Sequence, residues 1–220
     1  MMEGESKQMA GNVFENNLAV VVGKIASDFE YSHELYGEQF YSFILEVPRL
    51  SEMKDLLPIT ISNRLFEGIN LTIGSRVRIE GQLRSYNRKS YDEGKNKLVL
   101  TIFARDISVI DQEEIVKNPN EIFLDGFICK QPVYRTTPFG REIADILLAV
   151  NRAYNKSDYI PVIAWGRNAR FCEKLSVGEH IKIWGRIQSR DYQKKLGNEV
   201  LTRTAYEVSI TKMERVENDN

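Results

Sequence analysis

Short runs in which apolar and polar positions alternate recur along the chain. Residues 18–24 and 121–129 are rich in strand formers, and residues 40–47 alternate as a half-buried strand does. Residues 142–150 would also suit a helix on propensity alone. Their counterpart decides between the two, because Tyr41-Ser42-Phe43-Ile44-Leu45 is poor helix material and good strand material. Residues 58–61 and 161–165 read as third strands. Residues 168–175 predict a short helix, with Phe171, Cys172 and Leu175 on one face and Gly178 beyond its end. Residues 77–83 and 181–187 are fourth strands. A polar loop and a last strand, residues 98–109 or 200–210, follow in each half.

The two halves repeat one another. A shift of 103 places Gly23 on Gly126, Tyr31 on Tyr134, Gly37 on Gly140, Arg49 on Arg152, Pro58 on Pro161 and Arg64 on Arg167. A slip of one residue then aligns Gly74-Ser-Arg-Val-Arg-Ile-Glu-Gly81 with Gly178-Glu-His-Ile-Lys-Ile-Trp-Gly185. In the last strand, Leu100-Thr101 matches Leu201-Thr202, and Ala104 and Ser108 match Ala205 and Ser209. A period near 100 is too long for a solenoid and implies two copies of one domain. The order β-β-β-α-β-β predicts an all-β protein of two tandem OB-folds. Each is a five-stranded Greek-key barrel with a short helix after strand three. The expected divisions are a disordered N-terminus (1–12), barrel one (13–111), a polar linker (112–119), barrel two (120–214) and a short tail (215–220).

Charge separates the copies. Net charge is −1 over 220 residues, yet residues 13–116 hold 12 basic and 16 acidic side chains, and residues 117–220 hold 17 and 13. No apolar run reaches the ~18 residues of a membrane span. The first twelve residues lack the basic and apolar regions of a signal peptide. Two cysteines supply neither a disulfide scaffold nor a zinc site, so a cytoplasmic setting is expected.

Catalytic chemistry is poorly supplied. His33 and His180 have no repeat counterpart and no cysteine nearby, and Gly-rich phosphate loops are absent. No enzyme activity, metal or cofactor is expected. The second copy instead interleaves Tyr154, Tyr159, Trp165 and Tyr192 with Arg152, Lys156, Arg167, Arg170, Arg190, Lys194 and Lys195. Tyr154 falls in the loop after strand two, Tyr159 and Trp165 at the ends of strand three, and Tyr192 in the loop between strands four and five. Aromatic faces stack on unpaired bases while neighbouring cations hold phosphates. Any one of these tyrosines could equally be a half-buried packing residue, and Trp165 a core residue.

Residues 120–214 resemble the bacterial single-stranded DNA-binding protein family. The resemblance rests on Asn-Glu-Ile-Phe-Leu-Asp-Gly126, Thr-Thr-Pro-Phe-Gly140, Leu-Leu-Ala-Val-Asn-Arg152, Val-Ile-Ala-Trp-Gly166, Leu-Ser-Val-Gly178 and Trp-Gly-Arg-Ile-Gln-Ser-Arg190. It implies that Tyr154, Tyr159, Trp165 and Tyr192 stack on bases, and that the protein binds single-stranded DNA in replication, recombination or repair. The first copy is similar to the family more weakly, through Gly-Ser-Arg-Val-Arg-Ile-Glu-Gly-Gln-Leu-Arg84. Ser51, Leu56, Ser62 and Arg88 stand where the four aromatics stand in the second, although Tyr86 or Tyr91 is near enough to substitute. Arg49, Arg64, Arg84, Tyr86, Arg88 and Lys89 are its secondary candidate contacts. Family members usually carry one barrel per chain and assemble as tetramers, so the resemblance implies a homodimer presenting four barrels. The C-terminus lacks the family's apolar acidic tip, which leaves recruitment of partner proteins through a tail doubtful. The alternative reading is an OB-fold scaffold that acts by protein contact, such as a primosome-type component or adaptor.

Overall fold

The computed structural model describes residues 16–49, 51–89, 96–196 and 199–217. The expected disordered N-terminus and the last residues of the tail lie outside the described residues. Among the described residues twelve strands and two short helices follow in order: β1 (Asn17–Ile25), β2 (Glu30–Leu35), β3 (Glu38–Pro48), β4 (Lys54–Ser62), α1 (Asn63–Phe66), β5 (Arg76–Lys89) and β6 (Asn96–Val109). The second copy contains β7 (Asn120–Ile128), β8 (Val133–Thr136), β9 (Glu142–Arg152), β10 (Lys156–Trp165), α2 (Arg167–Cys172), β11 (His180–Leu196) and β12 (Glu199–Arg215).

Pairing runs β1–β5–β6–β4–β3 and returns to β1; the second copy runs β7–β11–β12–β10–β9 and returns to β7. That is OB-fold order, present twice. Return to the first strand requires close approach, and a Cβ on Gly23 would stand 2.3 Å from the carbonyl oxygen of Glu46. Gly126 meets Ala149 in the same way at 2.5 Å. Alternation places Phe43, Leu45 and Val47 of β3 inside with Ile59 and Ile61 of β4, and Ile146, Leu148 and Val150 of β9 with Ile160 and Val162 of β10. Each such side chain contributes about 1.5–3 kcal/mol by leaving water.

Each copy has one strand more than expected. β2 and β8 sit at the sheet ends, hydrogen-bonded only to β3 and β9. Their residues are almost all exposed, so no apolar alternation announced them. The polar stretches between strands four and five are also strand. β11 and β12 pair from Ile181↔Arg215 to Leu196↔Glu199, which puts Tyr192 opposite Arg203 in a ladder rather than in a loop. A hairpin needs only backbone partners, so its polar, two-sided arms carry no hydrophobic signal. The longer second hairpin also corrects the repeat. Gly81 and Gly185 are equivalent bulge positions, so Phe103, which pairs Gln82, corresponds to Ser209, which pairs Arg186. Ser108 is not the counterpart of Ser209.

The copies join edge to edge. β1 and β7 pair antiparallel from Asn17↔Leu124 to Val21↔Asn120. Among the described residues no helix is long and apolar enough to cross a membrane.

Candidate nucleic-acid interface

The β9–β10 hairpin presents the first aromatic. Tyr154 and Asn155 both take positive φ, 61° and 53°. Asn tolerates that region, whereas Tyr does not favour it. The strained turn holds the Tyr154 ring 94% exposed at the tip. Along β10, Asp158, Ile160 and Val162 point inward, so Tyr159 and Trp165 point outward, each part exposed. The Trp165 indole Nε1–H donates to Ser209 Oγ at 3.2 Å, which orients the ring over β12.

β12 lies between β10 and β11. Ile163 pairs Ser209, and Ser209 pairs Arg186. Alternate residues of β11 therefore project on the same outer face: Arg186, Gln188, Arg190 and Tyr192. The structure thus brings Tyr159, Trp165, Arg190 and Tyr192 onto one face, with Tyr154 and the exposed Lys156 at its hairpin edge. Glu207 is buried in the middle of this face, accepting from Gln188 at 2.9 Å and lying 3.9 Å from Arg190. Arg167 is exposed at the start of α2. Arg170 is held by Glu142 at 2.8 Å, and Tyr134 donates to the same carboxylate at 2.6 Å. The Tyr134 hydrogen bond, then Arg170, hold the Glu142 carboxyl below its usual value.

Several candidate cations are committed elsewhere. Arg49 forms a two-pronged pair with the buried Asp55, at 2.8 and 2.5 Å, and also donates to the carbonyl of Ser189. This hydrogen bond raises the Arg49 pKa. Arg84 donates to the buried Asp158 at 2.9 Å, and Arg152 reaches the same carboxylate at 3.5 Å. Burial pulls the Arg84 pKa below its ordinary value despite Asp158. Arg64 is exposed, 3.9 Å from Glu38. Tyr86 and Arg88 project from β5 at exposed positions. The side chains of Lys89, Lys194 and Lys195, and all of Tyr91, lie outside the described residues.

Several exposed aromatics escaped the sequence reading, among them Tyr31 on β2. Tyr36 and Phe139 occupy equivalent hairpin tips, 99% and 92% exposed. The signal was present, since each precedes one of the aligned glycines, Gly37 and Gly140. Trp184 does not join Trp165. It packs at 5.1 Å on Phe123, with Lys212 Nζ 4.4 Å above its ring, and lines a separate groove of about 910 Å³ with Leu18, Pro48 and Pro119. Among the described residues no cluster of His, Cys, Asp and Glu is placed to hold a metal ion.

Fold and face together define a tandem OB-fold protein whose second barrel displays aromatic rings between cations. The profile of the Single-strand binding protein family matches residues 16–110 and again residues 119–216, and the chain belongs to that family. A single-stranded DNA-binding protein of Clostridium tetani is 38% identical over 85 residues, covering 36% of this chain and 59% of the relative. Single-stranded DNA-binding protein A of Bacillus subtilis is 30% identical over 102 residues, covering 43% and 59%. The chain thus spans less than two thirds of these relatives' own length. Wild-type single-stranded DNA binding protein from Thermus aquaticus superposes with a TM-score of 0.72 at 19% identity, covering 93% of this chain and 94% of that one, a likeness of fold. The dimeric N-terminal domain of PriB protein from Thermoanaerobacter tencongensis is 66% identical, covering 44% of this chain and all of its own, with a TM-score of 0.40.

Proposed function

We propose that this protein binds single-stranded DNA with little regard to sequence, in replication, recombination or repair, and that it performs no chemistry on the strand. The observation that carries the reading is the placement of Tyr159, Trp165, Arg190 and Tyr192 on one outer face, with Tyr154 at its edge. Bases stack on the rings, and Arg190, Lys156 and Arg167 meet phosphates; Lys194 and Lys195 extend the same strand. Family membership of the whole chain supports the ligand class. The proposed setting is the cytoplasm.

The test uses fluorescence of a Trp184→Phe variant, which leaves Trp165 as the only tryptophan. Oligo-dT should quench it in a saturable way that salt reverses. No quenching and no anisotropy change of labelled oligo-dT would refute the reading.

A second reading, contact with protein, is favoured by the Phe123–Trp184 groove at the seam between barrels. Leu18, Phe123 and Trp184 offer apolar area beside Lys117 and Glu121. We assign this face to a second copy, giving a homodimer with four barrels; the scaffold or adaptor role would use the same face. Sedimentation should show a species of twice 25.4 kDa, and a Trp184→Glu variant should be monomeric.

A further inference from the structure

We infer that the first barrel carries a single-strand groove of its own, built from different residues and completed by an arginine of the second barrel. This inference rests on the proposed function above. Position by position, the first copy has lost the stacking residues, because Ser62 replaces Trp165 and Arg88 replaces Tyr192. In three dimensions they have been exchanged between neighbours. Ser62 is small, but Phe103 stands on β6 at the position equivalent to Ser209. The large–small pair Trp165/Ser209 thus becomes the small–large pair Ser62/Phe103 across adjacent strands. On β5, the order Arg190, Tyr192 becomes Tyr86, Arg88. Two residues apart on a strand share a face, so the ring and the cation are both kept.

Phe103, Tyr86 and Arg88 line an open groove of about 1100 Å³. Tyr31 and Tyr86 border it 59% and 51% exposed. Phe103 forms its half-buried floor, backed by Phe40 at 5.5 Å, and His33 stacks on Phe40 at 4.8 Å. The lining cations are Arg84, Arg88, Arg105 and Arg152; Asp158 pairs with Arg84 and Arg152, and Arg88 and Arg105 face one lining carboxylate, Glu30. An acidic barrel therefore carries a locally cationic groove. Thr101 takes the place of Glu207, so the carboxylate in the middle of the second face has no equivalent here. Arg152 belongs to the second barrel and reaches this groove from its pairing with Asp158. At the same seam the Tyr159 N–H donates to Ser85 Oγ at 2.7 Å. The backbone of Tyr159 thus lies against Ser85, the residue that precedes Tyr86 on β5. A strand leaving Tyr159 meets Tyr86 next, and the two surfaces form one track.

The test compares labelled oligo-dT of about 8 and about 30 nucleotides, lengths that fill one OB-fold and more than one. With the full-length wild-type protein the longer strand should bind at least tenfold more tightly, because the second contact is made within the complex. Tyr86→Ala with Arg88→Ala should erase that gain and leave the 8-mer within about twofold. Arg105→Glu, at an exposed position that also donates to Gln82 at 3.2 Å, should act in the same direction by reversing the charge, and thermal midpoints should stay near wild type. Wild-type affinity for the 30-mer in both variants would overturn the proposal while Tyr154→Ala with Tyr192→Ala still weakens the 8-mer. If wild type binds neither oligonucleotide, the proposed function itself fails.

Discussion

Ser85 and Asp158 belong to different barrels, and the Ser85 N–H donates to the Asp158 carboxylate at 2.8 Å. The repeat-equivalent contact joins Ser189 to Asp55, also at 2.8 Å. Each aspartate is fully buried and held by an arginine, Arg84 for Asp158 and Arg49 for Asp55. The backbone of β5 is thus gripped by β10 of the other barrel, and that of β11 by β4. Replacing Asp158 by Ala leaves Arg84 and the Ser85 N–H without that partner. Removing one member of a buried ion pair costs about 3–5 kcal/mol. Urea denaturation should show that loss, and a smaller one when Arg84 is replaced by Met in the same chain.

Tyr154 should separate stability from binding. Its side chain is almost wholly exposed and its φ is positive. Tyr154→Gly should be more stable than Tyr154→Ala by about 1 kcal/mol, because only glycine adopts this backbone freely. Both should bind oligo-dT about five- to a hundredfold more weakly, since a stacked base contributes roughly 1–3 kcal/mol. Thermal melts beside anisotropy titrations measure both effects.

Binding should depend steeply on salt. Each phosphate neutralised on a single strand contributes a slope of about −0.7 in a plot of log affinity against log salt. Four to six contacts across the second face would give about −3 to −4. An affinity indifferent to salt would exclude the electrostatic part of the interface.

The two thiols should differ in reactivity. Burial pushes the Cys172 thiol up to about 12, and its Sγ–H donates to Met213 Sδ at 3.6 Å, whereas Cys129 is half-buried. The raised value means that the folded state favours the protonated thiol. That contribution is full below the ordinary value of 9.0 and is lost as pH rises toward about 12. At pH 8 a thiol reagent should titrate one equivalent in the folded protein and two in denaturant. Rapid reaction of both thiols in the folded state would contradict the burial of Cys172.

Asn17 should prove to be structural. It is buried and donates to the Leu83 carbonyl at 2.8 Å while accepting the Leu83 N–H at 2.9 Å, just past the bulge at Gly81. Asn120 repeats both bonds with Ile187 past the bulge at Gly185. Asn17→Ala strands two backbone groups and should cost about 2–3 kcal/mol by denaturation.

The sequence by itself determined the duplication, the order of the main strands, the turn that carries Tyr154 and the placement of Trp165 at a strand end. These depend on alternation and on turn residues, which act over a few neighbours. Tertiary structure decided which side chains share a face. Tyr192 lies in a ladder because β11 and β12 are longer than their apolar segments. Phe103 stands for Trp165 because bulges and hairpin length, not position in the repeat, set the cross-strand register. Arg49, Arg84 and Arg152 read alike as free cations along the chain. Only the meeting of the two barrels brings Asp55 and Asp158 to them, and with them the charge available to a strand.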